Sequence, residues 1–323
     1  MKIKALLFIS IFTFLAACES QPKITATKAT PAPNIVVTTK TSEEQLLRKD
    51  YVSTVDKETH QYFVYLPRGY ANEPNKKWPV MLFLHGNGER GNGRDDLDYV
   101  ISHGPLYEAW VQKKDLPFII ISPQLPIFTM GKVPYIANRT RAQIPQRLAE
   151  GVPAGDPFFA TQGPLKPAPL VTQADMKKVA PLLPMGWEQV EQDLLGMLND
   201  VQKTYNVDTS RRYLTGLSYG GFGTWYFASK HPELFAAIAP VVGWGHPDLM
   251  EPIAQHQLPV WAFAGGRDTS VDKKFFYPGL SKLEELGDKE VRFTVEEDMA
   301  HDTWKRVYAR DDLYLWLLAH TTK

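Results

Sequence analysis

Apolar residues in this chain fall into short unbroken runs separated by stretches with helical spacing. Pro79–His85, Phe118–Ser122, Ala236–Val242 and Leu258–Ala264 are nearly continuous apolar segments, the pattern of strands buried on both faces. Trp187–Tyr205 sets Val190, Leu194, Met197, Leu198 and Val201 on one helical face, and Lys273–Leu286 does the same with Phe276, Leu280 and Leu283. Val291–Glu296 reads as a further strand. Asp302–Tyr308 and Asp312–Ala319 read as helices, each opened by an acidic residue suited to capping. Near the start, Tyr51–Val55 and Gln61–Leu66 flank a turn at Asp56–Thr59, and Tyr62, Val64 and Leu66 alternate as in a hairpin. A hairpin followed by alternating strands and helices predicts an α/β fold, with a mainly parallel sheet covered on both faces.

Two stretches break this rhythm. At the N-terminus, Lys2 and Lys4 precede an apolar segment, Ala5–Ala17, which is short for a bilayer span and suited to a signal peptide. It ends in Leu15-Ala16-Ala17-Cys18, which resembles the lipobox of bacterial lipoproteins. That resemblance implies a signal peptide over 1–17, lipidation of Cys18 and, with Glu19 following, an outer-membrane lipoprotein of the cell envelope. An ordinary secretory signal with a chance cysteine is the alternative. Residues 18–45 are rich in Thr, Ser, Ala, Pro and Lys and read as a flexible tether, leaving 46–323 as the catalytic domain. Cys18 is the single cysteine, so the folded body carries no disulfide and no thiol nucleophile. With 36 basic and 36 acidic residues, the chain offers no electrostatic case for nucleic acid.

The second break is 126–186, which holds ten prolines and little periodicity. So long a segment inside a compact domain is functional or disordered. It leaves the strand ending at Ser122, on the sheet edge where open α/β folds bind ligands, and reads as a lid-like insertion that governs which substrate is admitted. Phe128, Tyr135, Phe158 and Phe159 are candidates for its apolar wall. Arg139, Arg141 and Arg147 read as a solvated basic face, with contact to an acidic substrate group as the alternative.

The chemistry centres on Gly216-Leu217-Ser218-Tyr219-Gly220, a G-x-S-x-G run between a strand ending near Thr215 and a helix over Phe222–Ser229. A nucleophile on a sharp strand-to-helix turn needs small residues two before and two after it. If Ser218 is that nucleophile, an acid and a histidine should follow in that chain order, each beyond a strand end. Asp268 stands after the Leu258–Ala264 strand and His301 after the Val291–Glu296 strand, with His246 and Asp272 as the alternatives. An oxyanion hole needs two preset N–H groups. Tyr219, after the nucleophile, and Asn87, in His85-Gly86-Asn87-Gly88-Glu89-Arg90-Gly91, are the candidates, and Gly88 and Trp304 are candidate substrate contacts. His85 reads as a buried structural histidine.

H-G-N-G-E-R-G at His85–Gly91, S-P-Q at Ser122–Gln124, Y-L-T-G-L-S-Y-G-G-F-G at Tyr213–Gly223, P-E-L-F-A-A-I-A-P-V at Pro232–Val241 and H-D-T-W at His301–Trp304 together resemble one branch of the α/β-hydrolase superfamily. It is the predicted-peptidase and phospholipase/carboxylesterase branch, similar to polyhydroxybutyrate-depolymerase-like and feruloyl esterases. The resemblance spans about Tyr51–Leu318, apart from the insertion. It implies an eight-stranded sheet, a Ser218–Asp268–His301 triad, and hydrolysis of a small-molecule or polymer-derived ester with no metal or organic cofactor. The same triad serves a serine peptidase, which is the runner-up, and a non-catalytic envelope lipoprotein is the third reading.

Overall fold

The computed structural model describes residues 41–150 and 170–322 of the 323-residue chain. The segment expected to be a signal peptide, Cys18, nearly all of the expected tether, Phe158 and Phe159 lie outside the described residues. β1 (Gln45–Val52) and β2 (Thr59–Leu66) form an antiparallel hairpin, and β2 also runs antiparallel to β4 (Ile119–Ser122). β3 (Trp78–Leu84), β5 (Val207–Leu217), β6 (Ala237–Val241), β7 (Val260–Gly265) and β8 (Val291–Glu296) run parallel to one another and to β4. Their order across the single sheet is β1-β2-β4-β3-β5-β6-β7-β8.

The apolar runs follow from this order. All seven residues of β3 are buried. Val80, Leu82 and Leu84 face one layer of the core while Met81 and Phe83 face the other. Each fully buried Leu or Phe contributes roughly 1.5–3 kcal/mol, so a strand sheathed on both sides has no place for polar alternation. The first layer packs under helices Glu191–Thr204, Tyr219–Lys230, Met250–His256 and Phe276–Glu285. The second packs under the 97–111 segment and helices Trp304–Ala309 and Asp312–Leu318.

Boundaries shift where polar residues mask the signal. The hairpin begins at Gln45, not Tyr51. Immediately before it, the buried Glu44 carboxylate pairs with Arg68 and Arg147, so the last residues assigned to the tether are part of the fold. The helix drawn over Trp187–Tyr205 opens as a 3-10 turn at Trp187–Val190 and is α-helical over Glu191–Thr204. Asp302 does not cap the following helix through its side chain; it pairs with Lys305 at 3.1 Å.

Candidate active site

β5 ends at Leu217 and the helix begins at Tyr219, leaving Ser218 alone at the turn with φ 51° and ψ −116°. A non-glycine residue at positive φ costs about 1–3 kcal/mol, and the tight flanks impose it here. A Cβ on Gly216 would lie 2.3 Å from the Gly220 carbonyl oxygen, and one on Gly220 would lie 1.8 Å from the Leu84 carbonyl oxygen. Both positions of the motif therefore exclude any side chain, and the strained serine is held between them.

β7 and β8 lie beyond β5 in the sheet, so their C-terminal loops reach toward the same edge. Asp268 has a fully buried side chain. Its Oδ1 accepts the Ser270 and Val271 N–H groups, both at 2.8 Å, and its Oδ2 lies 2.7 Å from His301 Nδ1. A carboxylate can only accept, so Nδ1 carries the proton. Nε2, 3.0 Å from Ser218 Oγ, is left with its lone pair toward the hydroxyl. Behind the histidine loop, Asp298 receives two bonds from Arg306, at 2.6 and 2.7 Å, and Arg306 also reaches Glu296 at 2.8 Å. The guanidinium bonds hold the Asp298 carboxyl low, at about 2. This clamp, from the last residue of β8 and the loop beyond it to Arg306 ten residues on, is not legible in the motif.

The opposite wall is the loop after β3. Asn87 and Tyr219 are the first residues of a 3-10 turn, Asn87–Glu89, and of the elbow helix, positions whose N–H groups have no intrahelical acceptor. Both residues line the cavity at Ser218. The loop is fixed from below by His85, whose Nε2 accepts the Leu125 N–H at 2.8 Å. The proton therefore sits on Nδ1, which donates to the Gly86 carbonyl at 2.6 Å. Burial drives the His85 pKa down to about 3, so the ring is neutral and structural.

Sequence reasoning missed Arg90. Fully buried, it donates through Nε to Asn87 Oδ1, through one terminal nitrogen to the Pro126 carbonyl at 2.8 Å, and through the other to the Met185 carbonyl at 2.7 Å. Its guanidinium also lies 4.9 Å from the Tyr219 ring centroid. One side chain thus ties both ends of the 126–186 insertion to the loop opposite Ser218. Burial lowers its pKa to about 10, still charged at neutral pH. An arginine inside a glycine-rich loop was the available signal.

The three insertion arginines keep part of the expected solvated face, Arg141 and Arg147 being exposed and Arg139 largely covered, and all three also fasten the insertion to the body. Arg139 donates to the Gly88 and Arg90 carbonyls, pairs with Asp96 and stacks 4.0 Å over the Tyr99 ring. Arg141 binds Asp98 and the Asp95 carbonyl, and Arg147 binds Glu44 and lies over Trp110. Tyr135 and Leu183 of the insertion line the Ser218 cavity, and the Tyr135 hydroxyl accepts from Asn87 Nδ2. Phe128 instead packs against the core.

The cavity is about 780 Å³ and brings Ser218, His301, Asn87, Tyr219, Gly88 and Trp304 together. The Trp304 ring meets His301 edge to face at 5.2 Å. His246 is engaged elsewhere: buried, its ring nitrogens meet the Met176 carbonyl at 2.9 Å and the Asp248 N–H at 3.2 Å. Asp272 lines the cavity but spends Oδ1 on the Lys274 N–H. Among the described residues, no group of three or more His, Cys, Asp or Glu side chains is arranged to hold a metal ion.

Comparison with known proteins bears on this geometry in parts. The model of the prolyl oligopeptidase family matches residues 187–277, from the first covering helix through the elbow and Asp268. Poly(3-hydroxyalkanoate) depolymerase C of Paucimonas lemoignei is 40% identical over 47 residues, which is 15% of this chain and 11% of that one. A thermostable esterase superposes with a TM-score of 0.56 at 22% identity, over 85% of this chain and 63% of that chain. S-formylglutathione hydrolase from Staphylococcus aureus superposes with a TM-score of 0.53 at 12% identity, over 86% and 98% respectively. The present chain therefore spans less than two thirds of the esterase and a small part of the depolymerase. Together with the strand order, these matches give the chain the α/β-hydrolase fold.

Proposed function

We propose that this chain is a serine hydrolase that cleaves carboxylic esters through an acyl-enzyme intermediate. The observation that carries the reading is the line of two hydrogen bonds through His301, 2.7 Å to Asp268 and 3.0 Å to Ser218, ending on a strained serine. His301 Nε2 takes the Ser218 proton as Oγ attacks the ester carbonyl. The carbonyl oxygen becomes an oxyanion and accepts from the Asn87 and Tyr219 N–H groups, aided by the N-terminus of the Tyr219–Lys230 helix. Collapse of the tetrahedral intermediate breaks the ester C–O bond, and imidazolium protonates the departing alcohol. Water, deprotonated by the same imidazole, then attacks the acyl-serine and releases acid. Asp268 orients the imidazole and stabilises its charged form throughout. No step calls for a cofactor.

Ester and amide cleavage share this intermediate, and the prolyl oligopeptidase match over 187–277 keeps a peptidase as the second reading. The test is a panel of acetyl, feruloyl and longer acyl esters beside peptide amides, assayed on the wild type and Ser218→Ala. Ester turnover abolished by the substitution is expected. Turnover of peptides but not esters would transfer the proposal to the second reading. We further propose that the enzyme is tethered to the cell envelope through Cys18, a reading supported by the Leu15–Cys18 pattern. Cys18→Ser should then leave the protein in the soluble fraction, and continued partition with membranes would refute it.

A further inference from the structure

Gln124 is buried two residues beyond the end of β4 and does not line the Ser218 cavity. Its side-chain amide spends both kinds of hydrogen-bonding group on one loop. Nε2 donates to the Glu89 carbonyl at 2.8 Å and to the Asp96 carbonyl at 2.7 Å, and Oε1 accepts the Gly93 N–H at 2.9 Å. Resting on the reading of Ser218 as nucleophile and the Asn87 N–H as oxyanion donor, we propose that Gln124 is a positioning residue for the reaction. It presets the Asn87 N–H by pinning the far end of the turn that carries it.

The loop needs a hold from outside. Gly86, Gly88, Gly91 and Gly93 fall within eight residues, so its backbone has little rigidity of its own. An oxyanion donor is effective only when it is fixed before the charge appears. Asn87 opens the 3-10 turn and Glu89 closes it, so a pinned Glu89 carbonyl leaves the Asn87 N–H two residues from an anchored point. The fit is close. A Cβ on Gly91 would lie 2.3 Å from Gln124 Nε2 and 2.4 Å from Oε1, so the loop backbone runs directly against the amide. The anchor itself is firm, because β4 is paired on both sides, with β2 and with β3. The next two residues bind the same loop through their backbone: the Leu125 N–H donates to His85 Nε2, the Leu125 carbonyl accepts the Gly91 N–H, and the Pro126 carbonyl accepts from Arg90. Of the three, Gln124 alone holds the loop by its side chain. Arg90 and Arg139 fasten the turn to the insertion; Gln124 fastens it to the sheet.

Three substitutions separate this role from a merely structural one. Gln124→Glu keeps the size of the side chain and its acceptor for Gly93, but leaves at most one donor for two carbonyls. Gln124→Met removes all three bonds without adding charge, and covers the case in which the first variant fails to fold. Gln257→Glu is the control matched in its bonds. Gln257 Nε2 also bridges two carbonyls, Ala254 at 2.8 Å and Gly287 at 3.0 Å, and it precedes β7 instead of following a strand toward Ser218. Active sites are counted by fluorophosphonate titration, and kcat/KM for p-nitrophenyl acetate is expressed per titrated site. An alkyl trifluoromethyl ketone, whose hemiketal with Ser218 carries the oxyanion, reports affinity for the tetrahedral state. Both Gln124 variants should lose kcat/KM per site by about tenfold or more, with the ketone inhibition constant rising in parallel. Gln257→Glu should lower Tm and leave both quantities within about threefold of wild type. A lower Tm in the Gln124 variants with both quantities within threefold of wild type would overturn the proposal, as would equal losses in Gln257→Glu. An enzyme that turns over no ester, yet binds the ketone at Ser218 in a Gln124-dependent way, would keep the positioning residue and refute the esterase reading instead.

Discussion

The two walls of the Ser218 cavity are built on different physical principles. On one wall, Asp268 and His301 sit in short loops at the ends of adjacent parallel strands, and their geometry is set by local backbone. Asp268 is held by N–H groups two and three residues ahead of it, and Ser218 by glycines two residues to either side. On the other wall, the Asn87 loop is held by side chains and carbonyls distant in sequence: Arg90 to Pro126 and Met185, Arg139 to Gly88, and His85 to Leu125. The first wall is specified by motif and the second by long-range buried hydrogen bonds. On the proposed reading, the reacting groups are drawn from local sequence while the Asn87 side is fastened to an insertion.

The comparison breaks most sharply at the reacting groups. His301→Ala should reduce kcat/KM by a factor on the order of 10⁴ or more, as loss of a coupled triad member does, with little change in Tm. Arg90→Met tests the second wall and should act on both rate and stability. Three acceptors lose a charged donor, so the fold should weaken by about 3 kcal/mol. If Asn87 loses its placement, kcat should fall on the order of 10²-fold, as for a lost oxyanion donor. Arg90→Lys should not rescue it, because one ammonium cannot span Asn87, Pro126 and Met185. Urea unfolding and steady-state kinetics on the same variants separate the two effects. A rate loss in Arg90→Met below threefold would show that the insertion does not support the oxyanion side.

A smaller effect sharpens the picture through pH. Burial raises the carboxyl of Glu89, on the second wall, to about 7, and that of Glu108 likewise. A carboxyl whose folded pKa exceeds its unfolded value near 4.5 stabilises the fold fully below 4.5, and that contribution is lost as pH rises through 7. The fall in unfolding free energy between pH 5 and pH 8 should therefore shrink in Glu89→Gln, by on the order of 1–2 kcal/mol. An unchanged slope would mean that Glu89 ionises without cost. Smallest of all, His246→Ala removes a ring held by Met176 of the insertion and should change kcat/KM by less than about threefold. A loss comparable to that of His301→Ala would move the general base to His246.

Sequence made the first wall legible because its determinants repeat within a few residues. Continuous apolar runs mark strands buried on both faces, and G-x-S-x-G marks a turn where side chains do not fit. The chain order then directs attention to Asp268 and His301. The second wall was legible only as a glycine-rich loop and an unpatterned insertion. Nothing in one-dimensional spacing says that Arg90 finds carbonyls at 126 and 185, or that Arg139, Arg141 and Arg147 also bind Gly88, Asp98 and Glu44. Charged residues read as surface until their partners are known. The early start of β1 is hidden in the sequence for the same reason, since Glu44 is polar yet buried by two arginines.

The proposed chemistry requires that Ser218 be the one activated hydroxyl. Labelling the wild-type protein with a fluorophosphonate and mapping the adduct by peptide mass spectrometry tests it directly. Stoichiometric modification is expected on the peptide containing Ser218, with strong slowing in His301→Ala and none in Ser218→Ala, whose melting temperature is unaltered. An adduct on another serine, or labelling that persists in Ser218→Ala, would contradict it.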